Sequence, residues 1–388
     1  MPDLVVIGGG VIGAAVADEM ARRGASVTLV ERDALASAAS GRNMGLWLPT
    51  EDPVTSVMGR RSLDAYLALA DDAPVPFRID RTPRGYLLLA VHDDDVDRGR
   101  AIARTVADGG VVVEEVPHGD VAAIDPAYSR GVAAAWRVAD GRRLDPGALT
   151  SALAARAAAR GATIRHHLAV RTVLERHGRV AGVLTDDGPI EADDVVVAAG
   201  PWTPVLLETA GIPAPPITGA IGWVVRVGPA PGLPTTLMES VGWRHTPGGH
   251  TAWPTAGDVA TRGLGGFQSA PSVHPHDDGS ITIGSMRQPW ITPEAPDASV
   301  LRTLLADAIE IAPSIAYAPV RSSRWCVRPM TPDERPIVGP VRERLWICAG
   351  HGSEGVILGA GSAELLGAMI DGEEPPFDPT PFDPYRFS

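Results

Sequence analysis

The fold is decided by the stretch Asp3-Leu4-Val5-Val6-Ile7-Gly8-Gly9-Gly10-Val11-Ile12-Gly13 near the start of the chain. Its apolar run predicts a buried strand, and the glycines are followed by a predicted helix over residues 14–23. Gly8 permits a tight turn, Gly10 lets the backbone approach a pyrophosphate, and Gly13 lets the helix lie close to the sheet. The N-terminal amides of such a helix bind phosphate groups. The stretch therefore predicts an adenine dinucleotide site.

An acidic residue follows the second predicted strand, residues 26–30. Glu31 stands eighteen residues after Gly13, and its carboxylate suits a ribose 2′-hydroxyl but would repel a 2′-phosphate. Strand, glycines, helix, second strand and acidic residue occur in the order of the dinucleotide-binding fingerprint. The motif does not distinguish FAD from NAD, and it names no reaction.

The composition limits which classes of partner and which cellular compartment we expect for this protein. The 388 residues suffice for two or three domains, and the net charge of −13 disfavours nucleic acid and anionic membrane surfaces as partners. No apolar run approaches the ~20 residues of a membrane helix and no basic leader is visible, so neither a membrane span nor a signal peptide is expected. The two cysteines give no disulfide framework, which favours a reducing, cytoplasmic setting.

The chain contains no lysine, because all 34 of its lysine-plus-arginine residues are arginine. A lysine Schiff base, a lysine general base and a lysine beside a cofactor are therefore excluded. Any cationic role falls to arginine or to protonated histidine.

The rest of the chain predicts two interleaved domains. A second strand-plus-glycine signal, Val195-Val196-Val197-Ala198-Ala199-Gly200-Pro201-Trp202, returns to the first fold far along the chain, and residues 217–283 are rich in strand and turn signals. Helices are predicted at residues 57–70, 93–108, 148–160, 299–311 and 354–370. We expect an α/β protein of the two-domain α+β type, in which a Rossmann-like nucleotide-binding domain (1–75, 145–215 and 325–388) is interleaved with an antiparallel-sheet substrate domain (76–144 and 216–324).

Five stretches, taken in order, resemble one known family. They are the opening glycine turn with Glu31-Arg32, Ala39-Ser40-Gly41-Arg42-Asn43, Ala198-Ala199-Gly200-Pro201-Trp202, Arg328-Pro329-Met330-Thr331-Pro332-Asp333 leading to Pro336-Ile337-Val338-Gly339, and Ala349-Gly350-His351-Gly352-Ser353-Glu354-Gly355. Together they run from residue 3 to about 372. In these stretches the chain resembles the FAD-dependent amine and amino-acid oxidoreductases, the family of glycine oxidase, monomeric sarcosine oxidase and D-amino-acid oxidase.

The resemblance implies that the dinucleotide is FAD and that the Rossmann-like domain is an FAD-binding domain. It places Glu31 at the adenosine ribose, Val170 at the adenine and residues 40–44 along the pyrophosphate and isoalloxazine. Residues 350–356 would lie at the pyrimidine edge of the flavin, where a helix N-terminus stabilises negative charge. No metal is expected. The implied cofactor-binding residues are Gly8, Gly10, Val11, Ile12, Gly13, Glu31, Arg32, Ser40, Gly41, Arg42, Asn43, Met44, Val170, Gly200, Trp202, Cys326, Gly350, Gly352, Ser353, Glu354, Gly355 and Val356.

The same resemblance implies oxidation of a C–N bond. Hydride from the carbon next to the amine would pass to flavin N5 and leave an imine. The implied catalytic residues are Arg328 and His351. Arg328 would hold the substrate carboxylate through its guanidinium fork, and the alternative is a structural pairing with Asp333 or Glu334. His351 is expected to pack or to hydrogen-bond the flavin rather than to act in acid–base catalysis. Weaker candidates for a second cation are Arg42, Arg244 and Arg287.

Cys326 carries two alternative expectations. It stands five residues before Thr331, where covalently flavinylated relatives of sarcosine oxidase carry the cysteine that is bonded to the flavin. A thioether through Cys326 is one expectation, and a small buried side chain beside the flavin is the other. Cys348 lies within a strand pattern and is expected in the core.

Histidines and tryptophans are concentrated in the predicted substrate domain. The histidines match no metal-site spacing and are expected on the surface or in turns: His245, His250, His274 and His276. Core packing accounts for most tryptophans, but four could line an apolar pocket: Trp223, Trp243, Trp253 and Trp290.

The sequence thus predicts an FAD enzyme that acts on a small amino acid or a secondary amine bearing a carboxylate, with O2 as the expected electron acceptor. One alternative is a flavin dehydrogenase that passes electrons to a carrier. Another is a tailoring oxidase that acts on a larger biosynthetic intermediate. A flavin-binding protein without turnover is disfavoured by the complete Arg328 stretch. Relatives of sarcosine oxidase use lysines near the flavin, and their absence here leaves the acceptor open.

Overall fold

The computed structural model describes residues 1–117, 119–128, 131–242, 268–290 and 298–387. Five residues named above lie outside the described residues: Trp243, Arg244, His245, His250 and Trp253.

Strands and helices contribute about equally to the regular structure. The strands are β1 (Leu4–Ile7), β2 (Val27–Val30), β3 (Leu46–Trp47), β4 (Tyr86–Ala90), β5 (Val113–Val116), β6 (Ala134–Val138), β7 (Arg142–Arg143), β8 (Thr163–Arg165), β9 (Val170–Arg176), β10 (Arg179–Thr185), β11 (Gly188–Glu191), β12 (Asp194–Val197), β13 (Thr218–Val227), β14 (Met238–Ser240), β15 (Gln268–Pro275), β16 (Ile281–Pro289), β17 (Val320–Met330), β18 (Ile337–Arg342) and β19 (Leu345–Ala349). The helices are α1 (Val11–Arg22), α2 (Ala39–Arg42), α3 (Pro53–Asp72), α4 (Val96–Asp108), α5 (Val121–Ile124), α6 (Pro146–Ala159), α7 (Thr203–Thr209), α8 (Val300–Ile311) and α9 (Gly355–Ile370).

The opening strand lies inside a six-stranded sheet. The strand order is β18-β19-β12-β1-β2-β8, and all neighbours are parallel except β18 with β19. Leu4 and Val6 pack against the layer of α1, α3, α6 and α9, whereas Val5 and Ile7 pack against the small sheet β9–β11 and α7. Because both faces are covered, a run of uninterrupted apolar residues is stable there.

A second, eight-stranded sheet has the order β17-β13-β16-β15-β14-β4-β6-β5. Its pairs are antiparallel except β14 with β4. Helix α8 packs on one face around Leu304 and Ile311. The predicted α/β architecture, a Rossmann-like sheet with an antiparallel second sheet, is confirmed. The predicted domain boundary at residue 325 falls inside β17.

Helix starts follow capping chemistry. Helix α3 begins at Pro53 rather than at residue 57, because the Asp52 carboxylate accepts a hydrogen bond from Val54 N at 3.0 Å and proline suits the first helical turn. Helix α6 begins in the same way, with Asp145 accepting from Ala148 N at 2.9 Å. Within the described ranges, no helix is long and apolar enough to cross a membrane.

Candidate active site

A cavity of about 860 Å³ is lined by residues of both large sheets. Gly8 and Gly10 contribute from the turn after β1, and Glu31 contributes from the end of β2. Arg328 contributes from β17 of the eight-stranded sheet. The volume lies in the range of small-molecule and cofactor sites.

The opening glycines leave no room for side chains. Gly8 has φ +112°, and a Cβ there would collide with Ala198 O. A Cβ at Gly13 would collide with Gly8 O, so this glycine brings α1 close to β1 as predicted. At Gly10 a Cβ would stand 2.9 Å from Ser40 Oγ. The exposed backbone and the N-terminus of α1 together form an anion-binding surface.

Glu31 is held by backbone groups. Its Oε2 accepts from Gly9 N at 2.6 Å and its Oε1 from Asp33 N at 2.8 Å. Nearby, the Arg32 guanidinium lies over the Trp202 ring at 3.8 Å. Glu31, Arg32, Trp202 and Val170 all line the cavity. The resemblance placed Glu31 at the adenosine ribose and Val170 at the adenine.

The loop after α2 is tied to the eight-stranded sheet. Arg324 in β17 donates to Arg42 O at 3.0 Å and to Asn43 O at 2.8 Å, and His274 Nδ1 lies 2.9 Å from Met44 O. Ser40, Asn43 and Met44 line the cavity, whereas Gly41 and Arg42 are exposed and do not.

The expectation that His274 lies on the surface or in a turn is wrong. His274 is 3% exposed within β15, and its Nδ1–H donates to the carbonyl of Met44 because a carbonyl can only accept. Burial lowers the pKa of His274 to about 3. His276 is partly buried, with its Nε2 2.6 Å from Thr282 Oγ1.

Arg328 crosses from β17 over β13 to β16. Its Nη1 donates to Met286 O at 2.6 Å and its Nη2 donates to Ser285 Oγ at 2.8 Å. The guanidinium lies over Gly222, where a Cβ would stand 2.6 Å from Arg328 Cζ. Burial lowers the pKa of the Arg328 guanidinium.

The alternative pairing of Arg328 with a neighbouring carboxylate does not occur. Asp333 pairs with Arg386 at 2.8 Å, and Glu334 pairs with Arg287 at 2.6 Å. Among the described residues, no carboxylate forms an ion pair with Arg328. Arg287, a candidate second cation, also lines the cavity, and Glu334 neutralises it.

The second glycine turn lies between β19 and α9. Gly350 and Gly352 have φ +76° and +54°, a region that favours glycine. Residues 351–356 line the cavity and Gly350 does not. Burial, with a smaller contribution from carboxylates nearby, raises the pKa of Glu354 to about 8.

His351 is buried and neutral. Its Nε2 lies 2.9 Å from Ser362 Oγ, and the same hydroxyl lies 3.0 Å from Met58 Sδ. The Ser362 hydroxyl has one proton, so the tautomer of His351 depends on whether that proton is donated to Nε2 or to the sulfur. Nδ1 is buried with no partner among the described residues. Burial lowers the pKa of His351 to about 3, so the ring cannot act as an acid near neutral pH.

Both cysteines are free and buried, and both line the cavity. Cys326 is 6% exposed in β17, and burial raises the pKa of its thiol. Cys348 is fully buried in β19, as expected for a core residue. A raised pKa leaves the thiol, rather than the thiolate, as the resting form.

The second sheet adds polar residues to the cavity that none of the sequence motifs contains. The carboxylate of Glu239 in β14 accepts a hydrogen bond from Ser272 Oγ in β15, and burial raises the pKa of Glu239 to about 7. Tyr86 and Ser285 line the same cavity. The available signal was an acidic residue inside the apolar run Leu237-Met238-Glu239-Ser240-Val241.

Two tryptophans proposed for the pocket lie elsewhere. Trp223 packs in an apolar cluster with Met286 and Val327, and Trp290 packs edge-on against Trp202 at 6.1 Å. Neither lines the cavity. The described residues contain no cluster of three or more His, Cys, Asp or Glu placed to hold a metal ion.

Known proteins share this sequence pattern and this fold. The family described as "DAO: FAD dependent oxidoreductase" matches residues 3–369. The glycine oxidase of Pseudomonas putida is 27% identical, over 98% of each chain. The 4-methylaminobutanoate oxidase (formaldehyde-forming) of Paenarthrobacter nicotinovorans is 30% identical over 99% of this chain and 45% of its own length. The chain also spans about half of the bifunctional ThiO/ThiG protein of Nostoc sp., 52% of its length.

Solved structures extend the likeness to the fold. The glycine oxidase of Geobacillus kaustophilus superposes with a TM-score of 0.83 at 22% identity, over 99% of this chain and 98% of that one. The L-proline dehydrogenase of P. horikoshii also gives a TM-score of 0.83, at 23% identity, over 99% and 97% of the two chains.

The residues present fit FAD. A backbone cradle at Gly8 and Gly10, where side chains would collide, meets the N-terminus of α1 and the carboxylate of Glu31. A second glycine turn opens α9 at the same cavity, and beside it His351 Nδ1 is buried with no partner among the described residues. The chain belongs to the DAO family of FAD-dependent oxidoreductases, and it is an enzyme of the glycine oxidase and amine oxidase type.

Proposed function

We propose that this enzyme oxidises the C–N bond of a small amino acid, or of a secondary amine that carries a carboxylate, and forms the imine. The observation that carries the proposal is the buried Arg328 guanidinium at the cavity, held by a carbonyl and a hydroxyl rather than by a carboxylate. A buried cation without a counter-charge is costly. A bound carboxylate would supply the missing charge through two parallel hydrogen bonds.

FAD, when bound, supplies the chemistry by accepting a hydride from the carbon next to the amine nitrogen. We propose that the predicted cofactor residues hold it: the first glycine turn and Glu31 at the adenosine end, and residues 350–356 at the flavin end. His351, as a neutral ring, would hydrogen-bond the flavin and transfer no proton. On this division, residues 1–75, 145–215 and 325–388 bind FAD, and residues 76–144 and 216–324 shape the substrate side.

We propose O2 as the electron acceptor. Two relatives similar over nearly the whole of this chain are named as oxidases. The alternative is an electron carrier, since the chain has no lysine to place beside the flavin. The two unpaired, buried cysteines suit a reducing compartment such as the cytoplasm, where we propose that the enzyme works.

The test is anaerobic reduction of the FAD-loaded enzyme by a panel of amines. We expect loss of the oxidised-flavin absorbance with a carboxylate-bearing amine such as glycine, sarcosine or 4-methylaminobutanoate. The matched control is the same amine without its carboxylate, such as methylamine or dimethylamine. Equal reduction by both sets, or reduction by neither, would contradict the proposal. Admitting oxygen to the reduced enzyme then tests the acceptor, because an oxidase forms peroxide as the flavin colour returns.

A further inference from the structure

A row of polar side chains crosses the cavity face of the eight-stranded sheet. Arg328 in β17 donates to Ser285 in β16, and Ser272 in β15 donates to Glu239 in β14. We call these four residues the polar strip. All four line the cavity. The strip therefore has a cation at one end, a carboxylate at the other and two hydroxyls between them.

The sheet sets the length of the strip. Ser272 lies opposite Gly284, next to Ser285, and Glu239 lies opposite Ser272. The Arg328 guanidinium reaches β16, and Glu239 lies in β14. Because β15 lies between these two strands, their backbones are two strand spacings, about 10 Å, apart. The side chains of Arg328 and Glu239 both reach inward along this distance. A molecule of a few heavy atoms can contact both ends at once.

Among the residues that the structure describes, no cationic side chain forms an ion pair with Glu239. Its hydrogen-bond partner there is the neutral Ser272. Glu334, another carboxylate that lines the cavity, differs in being neutralised by Arg287. A carboxylate removed from water needs a cation, and one left without a protein partner inside a cavity marks a binding site for that cation.

We propose that Glu239 binds the cationic nitrogen of the substrate while Arg328 binds its carboxylate, so that the polar strip selects zwitterions. This inference rests on the proposed function and names its substrate class. It makes Glu239 a specificity-determining residue that the sequence motifs do not contain. If Glu239 served only as the internal partner of Ser272, its charge would not affect the choice of ligand.

The experiment uses two ligands of the same shape and the FAD-loaded enzyme. The zwitterion 2-aminoisobutyrate and the carboxylate pivalate differ by an ammonium in place of a methyl group. Neither has a hydrogen on the carbon next to the carboxylate, so neither can lose hydride there. Binding is measured as the change in the flavin absorption spectrum. We expect the wild-type enzyme to bind 2-aminoisobutyrate at least tenfold more tightly than pivalate, and Glu239→Gln to reduce the ratio to about one without weakening pivalate.

Two variants complete the test. Glu51→Gln removes an exposed carboxylate at the same cavity, and it should keep the wild-type ratio. Glu239→Asp keeps the charge, and it should keep part of the preference. Two results would overturn the inference. One is a wild-type enzyme that binds 2-aminoisobutyrate no more tightly than pivalate, and the other is a Glu239→Gln variant that keeps the wild-type ratio of the two affinities. If neither ligand binds, or if Arg328→Gln leaves pivalate binding unchanged, the proposed carboxylate site at Arg328 is wrong. That outcome contradicts the proposed function and is distinct from a failure of the Glu239 inference alone.

Discussion

The guanidinium of Arg328 lies directly over the backbone of Gly222. A Cβ at that glycine would stand 2.6 Å from Arg328 Cζ, closer than side-chain contacts allow. Gly222 pairs with Cys326 in the neighbouring strand, two residues before Arg328. The glycine thus opens the path along which Arg328 reaches β16 and its partners Ser285 and Met286.

Gly222→Ala should therefore displace Arg328, because the three atoms nearest to the added Cβ all belong to that guanidinium. We expect the KM for a carboxylate-bearing amine to rise at least tenfold, about 1.4 kcal/mol, with unchanged FAD content. Steady-state kinetics and the absorbance ratio of flavin to protein measure both effects. Gly147→Ala is the matched control, because a Cβ there meets its nearest neighbour at an ordinary 3.6 Å. A wild-type KM in Gly222→Ala would show that Arg328 does not depend on the glycine.

Arg328→Gln removes the charge and keeps a hydrogen-bonding side chain. Charge-assisted hydrogen bonds contribute about 1.5–3 kcal/mol, so we expect the KM to rise by roughly 10- to 150-fold while the flavin spectrum is retained. The KM is measured for a carboxylate-bearing amine and for the same amine without its carboxylate. Only the KM of the carboxylate-bearing amine should rise. Arg100→Gln changes the same charge at an exposed position and serves as control. Equal losses for both substrates would contradict a carboxylate-binding role.

Glu31→Ala should weaken retention of FAD. The carboxylate is held by Gly9 N and Asp33 N at the cavity, where we propose that it binds the adenosine ribose, so its loss removes a preorganised acceptor. We expect about tenfold weaker binding, measured as the ratio of FAD to protein after gel filtration. Glu191→Ala alters an exposed glutamate and should retain wild-type content. If a thioether joins Cys326 to the flavin, retention will persist in Glu31→Ala, so this variant is interpreted together with the next measurement.

Acid denaturation decides between the two roles of Cys326. The side chain is buried, free and at the cavity, which suits either a thioether or a small packing group. Yellow colour in the supernatant after precipitation rules out the covalent bond, and colour in the pellet supports it. If the colour is in the pellet, Cys326→Ser should move it to the supernatant. Cys348→Ser, at the other buried cysteine, should leave the distribution of colour unchanged.

Buried neutral histidines should make the stability depend on pH. Burial lowers the pKa of both His274 and His351 to about 3, so between about pH 6.5 and 3 the unfolded chain binds more protons than the folded one. The contribution of these two histidines to the free energy of unfolding is therefore largest above about pH 6.5, and it falls as the pH decreases, by up to about 1.4 kcal/mol per pH unit for each histidine. Urea unfolding at several pH values measures this slope.

His274→Asn keeps a donor for the carbonyl of Met44 and should reduce that slope. The control is His177→Asn, because His177 is exposed and its φ of +55° is one that asparagine readily adopts. A slope unchanged by His274→Asn, or reduced equally by both variants, would show that the buried ring is not the titrating group.

Most of the residues predicted to bind the cofactor line one cavity, and those of the first turn do so because their contacts are local in sequence. Strand, glycine turn, helix and Glu31 lie within 31 residues, and the same backbone geometry recurs wherever that spacing occurs. The exceptions have physical causes. Gly41 and Arg42 share the predicted loop but face outward, and His274 is buried because Met44 docks on β15.

By itself the sequence determined the dinucleotide fold, the family and the position of Arg328, since each rests on residue types at short spacings. Only the tertiary structure decided what Arg328 contacts, why Gly222 must lack a side chain, and that Glu239 shares the cavity. These relationships join β17, β13, β16, β15 and β14, whose order in the sheet differs from their order in the chain. Pairing between distant strands depends on the packing of the whole sheet, so no local pattern around Glu239 could reveal its partner.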